Sequence, residues 1–378
     1  MMKPYNENKN LPHLLGGGQG LLSQAGDTPP PRVSMTRDPF EISDFGNGRC
    51  HYKAGIIGTG SVLPDKKLTN SQLESIVETS DEWIVKRTGI RERHILEDDV
   101  PLAKIAAEAS VKAIKDAGLD PIEIELIIAS TCTPDYLTPS LSCMVQGQIG
   151  AKNAAALDIN AACTGFIYAL QTGRQFIENG TYKNILIVSA EALSRVTDFA
   201  DRKTCVLFGD GAGAVVLSQV DCDTGIESAC LGAAGEGGDV LTLPFLYANE
   251  TDIENRNEGK KQVLWMDGSE VFTFASRIMS EATRNVLDSA HAQIEQIQYI
   301  FPHQANMRIL QNAAKRLDVS MDKIYSNLEY TGNISSASIP VCLDEASNKG
   351  LLKKGDKIIM VAFGGGLTYG SALLTWSK

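Results

Sequence analysis

An internal echo constrains the fold of this chain more than any other feature. Phe208-Gly209-Asp210-Gly211-Ala212-Gly213-Ala214-Val215-Val216-Leu217 is matched by Phe363-Gly364-Gly365-Gly366 followed by Gly370-Ser371-Ala372-Leu373-Leu374. Upstream, Ile122-Glu123 and Ile127-Ile128 match Ile294-Glu295 and Tyr299-Ile300, with the same separation between the copies. Two echoes in one order predict two related halves dividing near residue 225, each ending in a glycine-rich turn and a strand. Between them the text alternates. Ala54 to Gly58, Ile124 to Ala129 and Asn184 to Ser189 read as strands. Leu102, Ile105, Ala106, Ala109 and Ala113 recur at helical spacing, with Gly118 as a natural stop. Strands alternating with helices of this length predict an α/β layered architecture.

A length of 378 residues suits one large domain or two similar ones. Residues 1–50 differ from the rest, with Leu14-Leu15-Gly16-Gly17-Gly18 and Thr28-Pro29-Pro30-Pro31 but no apolar period. Such a stretch cannot bury enough apolar surface to offset its ordering entropy, so it reads as a flexible N-terminal extension. The two halves are then 51–225 and 226–378. A formal charge of −11 gives no global reason to bind nucleic acid. No apolar run is long enough to span a membrane, and the first residues lack the pattern of a secretory signal. The eight cysteines include no C-x-x-C pair, so zinc-ribbon and redox spacings are absent and free thiols in a reducing cytoplasm are expected. One of those thiols is a candidate nucleophile.

Gly58-Thr59-Gly60 and Gly209-Asp210-Gly211-Ala212-Gly213 invite a dinucleotide-binding reading. The first lacks the third glycine, with Leu63-Pro64 in its place, and the second runs into a strand. Both are read as tight turns with close backbone packing, and no nucleotide cofactor is expected. Ala155 to Cys163 carries more information. A strand-like run leads through small residues to Cys163, and Phe166, Ile167, Ala169 and Leu170 continue as a buried helix. A thiol at a helix N-terminus has its thiolate stabilised by the dipole, whereas a lone small thiol also suits a core. His303 follows the strand-like Tyr299 to Pro302, at the kind of strand end where α/β sites gather, and is as compatible with a structural role. Asn333, after Gly332, is either a helix N-cap or an amide donor to an oxygen gaining charge.

Together these segments resemble the β-ketoacyl-acyl-carrier-protein synthase III family of the thiolase superfamily. Thr79 to Arg93, Phe208 to Gly213, Pro302-His303-Gln304-Ala305-Asn306, Gly332-Asn333 and Ala362 to Gly366 all read as motifs of that family, in order, from about residue 52 to the end. The resemblance implies a thiolase-like fold of five layers made of two duplicated α/β halves. It implies Cys163 as the acylated nucleophile, His303 and Asn333 serving condensation, and the backbone N–H groups of Cys163 and Gly365 as the oxyanion hole. Trp83, Arg87 and Arg202 match positions that hold coenzyme A. Gln304, Ala305, Asn306, Met307 and Arg308, with Lys315 and Arg316 on the same helix face, match the carrier-protein contact. The chain departs from the family at Thr273, where members often carry a basic residue.

The reaction implied is decarboxylative condensation of an acyl-CoA primer with malonyl-acyl carrier protein, starting fatty-acid synthesis in a cytoplasmic homodimer. The coenzyme A ester and carrier protein are substrates, with no metal or other cofactor. Two other readings use the same residues: a condensing or acyl-transfer enzyme of secondary metabolism, and a non-elongating binding partner of another condensing enzyme. For the acyl pocket the resemblance points to Phe208 and to Thr138, which stands where many members have phenylalanine. In the family that loop lies at the dimer interface and reaches the partner's pocket, so threonine implies room for a longer primer unless Leu137 or Phe208 fills it.

Overall fold

Apolar side chains that alternate along buried strands decide the layering. In the computed structural model, which describes residues 53–245 and 262–378, Ile185 and Ile187 join one core cluster, while Leu186 and Val188 join another. All four are fully buried, so this strand needs cover on both faces. The expected extension over residues 1–50 lies outside the described residues.

The first half contributes β1 (Lys53–Val62), α1 (Asp81–Thr88), α2 (Leu102–Asp116), β2 (Leu126–Ser130), α3 (Leu141–Ile149) and β3 (Ala155–Ile159). It continues with α4 (Gly165–Glu178), β4 (Asn184–Ala192) and β5 (Asp210–Val220). The second half contributes β6 (Gly225–Ala233), α5 (Gly268–Ser289), β7 (Ile297–Pro302) and α6 (Met307–Leu317). α7 (Ser338–Asn348), β8 (Lys357–Gly364) and β9 (Thr368–Thr375) complete it.

The five-stranded sheet has the order β1-β5-β4-β2-β3 and the four-stranded sheet the order β7-β8-β9-β6. In the first, β2 and β4 are parallel, and β5 is antiparallel to both β4 and β1. In the second, β7 and β8 are parallel, and β9 is antiparallel to both β8 and β6. The place of β3 is held by a single parallel bridge between Ile300 and Ile324. The sequence echo is thus a repeated strand order.

Three clusters give five layers. Ile56, Ile187 and Leu217 from the first sheet, Ile358, Met360 and Leu374 from the second, and Phe166 and Leu343 from α4 and α7 share one cluster, so these helices lie between the sheets. The first sheet's other face packs on α2 and α3, and the second sheet's on α5 and α6. None of the described helices is long and apolar enough to cross a membrane.

The first glycine run needs a correction. Gly58 and Gly60 lie within β1 rather than in a turn, and a Cβ there would stand 2.3 and 2.4 Å from the carbonyl oxygens of Ala113 and Ala109. Gly213 likewise lies within β5, where a Cβ would be 2.8 Å from the amide nitrogen of Val341. Sheets meet helix backbones at these points, and glycine is required by distance.

Beside the layers, Arg93 is fully buried and donates to the carbonyls of Leu68 and Val206 and to Oδ1 of Asn70. Burial lowers its pKa to about 10, which still leaves it charged at neutral pH. It fixes Val206 two residues before Phe208, whose backbone bridges to Asn333. Replacing Arg93 with Met would leave three buried acceptors without their donor. We expect a loss of about 3 kcal/mol in denaturant unfolding; an unchanged midpoint would contradict this assignment.

Candidate active site

The nucleophile candidate is placed by a break between strand and helix. After β3, Asn160 Oδ1 accepts from the Ala162 amide at 3.2 Å, and Ala162 takes a left-handed φ of 46°. Ala162–Thr164 form one 3-10 turn, and α4 begins at the next residue. Cys163 therefore sits half-buried at the start of a helix, on the wall of a cavity of about 950 Å³. His303 and Asn333 line the same cavity.

The second half contributes the facing backbone. A Cβ on Gly364 would stand 2.8 Å from the Cys163 amide nitrogen and 3.1 Å from that of Thr164. Only glycine allows β8 to end this close to the turn. Gly365 lines the cavity and packs near Ala162. Thr368 holds the two pieces together, with Oγ1 3.1 Å from both the Ala161 and the Gly365 carbonyl oxygens. Its hydroxyl also lies 2.9 Å from that of Thr164.

His303 follows β7, its amide donating to the Val361 carbonyl at 2.8 Å, and its ring meets Phe363 edge-on at 5.5 Å. It is 1% exposed, and burial lowers its pKa to about 3, against a weaker raising effect from a backbone hydrogen bond with Ser335. The imidazole is neutral at any ordinary pH. Asn333 is not the N-cap of a helix. Its Oδ1 accepts from the Ser335 amide at 2.9 Å within a loop that precedes α7, and its backbone bridges to Phe208. With the oxygen so engaged, the side-chain NH₂ is the group able to donate into the cavity.

Electrostatics at Cys163 differ from the simple helix-dipole expectation. Burial pushes the thiol up to about 12, the Glu191 carboxylate adds to the rise, and the Ser335 side chain opposes it. The resting group is a thiol.

Trp83, Arg87 and Arg202 come together from α1 and the Arg202–Cys205 turn. The two guanidinium groups lie 5.5 and 4.9 Å from the indole ring centroid. Arg308, Lys315 and Arg316 are exposed on α6, and Thr273 is exposed on α5. Gln304 and Ala305 are buried, with the Gln304 amide donating to the Pro302 and Tyr325 carbonyls, so they shape the loop from beneath. Asn306 caps α6 and donates to the Arg87 carbonyl at 3.1 Å, and Met307 packs against Gly89. The histidine loop is thereby tied to the tryptophan helix. Phe208 and Leu137 line the cavity, whereas Thr138 is exposed and lines none of it in its own chain.

Thr368, Ser335 and Glu191 were not singled out in the sequence. Each lacks a local pattern, and its role comes from contacts distant along the chain. A thiol pKa near 12 makes alkylation of Cys163 by iodoacetamide, followed on its own peptide by mass spectrometry, climb about tenfold per pH unit from 7 to 10. A plateau starting near pH 7 would contradict the assignment.

Known proteins resemble this chain over most of its length. The family model described as 3-oxoacyl-[acyl-carrier-protein] synthase III matches residues 157–235, and the model of its C-terminal part matches 287–376. A β-ketoacyl-[acyl-carrier-protein] synthase III of Clostridium acetobutylicum is 50% identical over 327 residues, covering 85% of this chain and 98% of the relative. The crystal structure of the synthase III of Aquifex aeolicus is 43% identical, with a TM-score of 0.79 over 86% of this chain and all of that one. The priming β-ketosynthase of the R1128 polyketide pathway is 34% identical, with a TM-score of 0.81 over 88% of this chain and 99% of that one. With half its residues shared over nearly the whole length of such a relative, the chain belongs to the β-ketoacyl-[acyl-carrier-protein] synthase III family.

Proposed function

We propose that this chain condenses an acyl-CoA primer with malonyl-acyl carrier protein, with loss of carbon dioxide, through an acyl-Cys163 intermediate. The observation that carries the reading is that Cys163, His303 and Asn333 line one cavity while the Gly364 turn is packed on the Cys163 amide. In the first step the Cys163 sulfur attacks the thioester carbonyl, and the oxyanion takes the Cys163 and Gly365 N–H groups. Coenzyme A leaves as its thiol, carrying the proton that Cys163 gives up. In the second step, decarboxylation of the malonyl group yields an enolate whose oxygen accepts from His303 and the Asn333 side-chain NH₂. The enolate carbon attacks the acyl carbonyl, and the Cys163 sulfur leaves as a thiolate and takes a proton from solvent water.

A neutral imidazole suits this second step. It donates an N–H without being a strong enough acid to quench the enolate. Two cations over Trp83 suit the nucleotide of coenzyme A. The exposed bases of α6 suit an acidic carrier, although Thr273 removes one charge from the patch. Tyr136 and Leu137, 59% and 61% exposed beside the cavity, suit burial in a homodimer. The cysteine spacing suits a reducing cytoplasm. The likeness to the R1128 priming ketosynthase favours a second reading, in which the same chemistry starts a secondary-metabolite chain.

Radiolabelled acyl-CoA, with and without malonyl-acyl carrier protein, tests the proposal. Cys163→Ala should lose both acylation and condensation. His303→Ala and Asn333→Ala should acylate within a few-fold of normal and condense about 100-fold more slowly, because their donors act only on the enolate. Equal loss of both half-reactions would refute this division of roles.

A further inference from the structure

At the end of β4 lies a carboxylate that the mechanism above does not use. Glu191 is fully buried, and the donors it meets are all neutral. Its Oε2 accepts from Thr131 Oγ1 at 3.3 Å, the Cys132 amide at 3.1 Å, Cys132 Sγ at 3.3 Å and Thr133 Oγ1 at 2.9 Å. Its Oε1 accepts from Ser336 Oγ at 2.7 Å. One oxygen therefore holds the loop after β2, on the cavity wall. The other holds the loop that carries Asn333.

We propose that Glu191 is a positioning residue that clamps the Asn333 loop to the Cys132 wall of the cavity. The inference rests on the condensing role proposed above. Geometry carries the clamp: Ser336 is three residues from Asn333, and its hydroxyl also lies 3.3 Å from the Ser130 carbonyl, so the loop meets the first half at this point. Thr133 extends the clamp, because its hydroxyl accepts from the Ala192 amide at 2.9 Å while donating to Glu191. Burial, and to a smaller extent the Glu191 carboxylate, raises the affinity of both Cys163 and Cys132 for their protons. The other titratable groups on the cavity wall are His303, Tyr136, Asp135 and Asp158. Asp158 is occupied by the Leu141 and Ser142 amides, and Asp135 by the Leu102 and Ala103 amides and Arg195.

Two substitutions separate charge from position. Glu191→Gln keeps the shape: its carbonyl oxygen can take the Oε2 place against the Cys132 amide, and its NH₂ can donate to Ser336 Oγ, which still reaches the Ser130 carbonyl. Glu191→Ala removes both charge and clamp. In the unsubstituted protein and both variants, acylation and condensation are timed separately. For E191Q both rates stay within threefold of the unsubstituted protein. For E191A the condensation kcat falls at least tenfold, with acylation and the KM for malonyl-acyl carrier protein within twofold. An E191A variant that condenses at full rate, or an E191Q variant that condenses tenfold more slowly, overturns the proposal. If E191A does not fold, the E191Q rates decide. If the unsubstituted protein fails to condense, the condensing role is what has failed, and amide exchange over residues 333–337, faster in E191A than in E191Q if the clamp holds, decides the proposal.

Discussion

The contact on which the site depends is the approach of the Gly364 backbone to the amide of Cys163. A Cβ at that glycine would stand 2.8 Å from the Cys163 nitrogen, inside any allowed contact. Gly364 ends β8 in the second half, and Cys163 follows β3 in the first, so the duplicated sheets meet where the thiol lies. Repetition of one strand order in both halves makes this geometry natural. The C-terminal ends of the parallel strands β2, β3 and β4 deliver Cys132, Cys163 and Glu191, and those of β7 and β8 deliver His303 and the glycine turn. α4 and α7 pack between the sheets and hold them in register.

Burial sets the protonation states that the proposed chemistry uses. It pushes the Cys163 thiol up and the His303 imidazole down, so both are neutral before substrate binds. A neutral pair avoids an isolated charge in an apolar pocket, which would be costly to bury. It also means that helix-start activation of Cys163 is overridden in the resting state. On the proposed mechanism the charge develops on the substrate oxygen, beside the Cys163 and Gly365 backbone on the cavity wall, rather than on the sulfur beforehand.

Much of the architecture was legible because it is written locally. Glycine runs, alternating strands and the spacing of Leu102 to Ala113 each occupy a few consecutive residues, and the echo between halves needed only comparison. Layering was not local, since whether Ile187 and Leu186 face different helices depends on the whole sheet. Glycine roles were misread for the same reason: Gly58 and Gly60 serve a helix that begins some forty residues later. At the site, Cys163, His303 and Asn333 stand out by residue type beside strand ends. Gln304 reads in the sequence as a surface contact although it is buried, and Thr138 reads as a pocket residue although its own chain's cavity does not include it. Thr368 and Glu191 carry no sequence signal, because their partners lie in other segments.

Gly364→Ala tests the central claim most directly, because it adds one methyl group at the seam and nothing else. The measurement is the rate of coenzyme A release from radiolabelled acyl-CoA in a single turnover, with thermal unfolding recorded on the same sample. If the glycine turn and the Cys163 amide together form the oxyanion site, the folded variant should acylate about 100-fold more slowly or worse. Acylation at the unsubstituted rate in a folded Gly364→Ala protein would contradict the account.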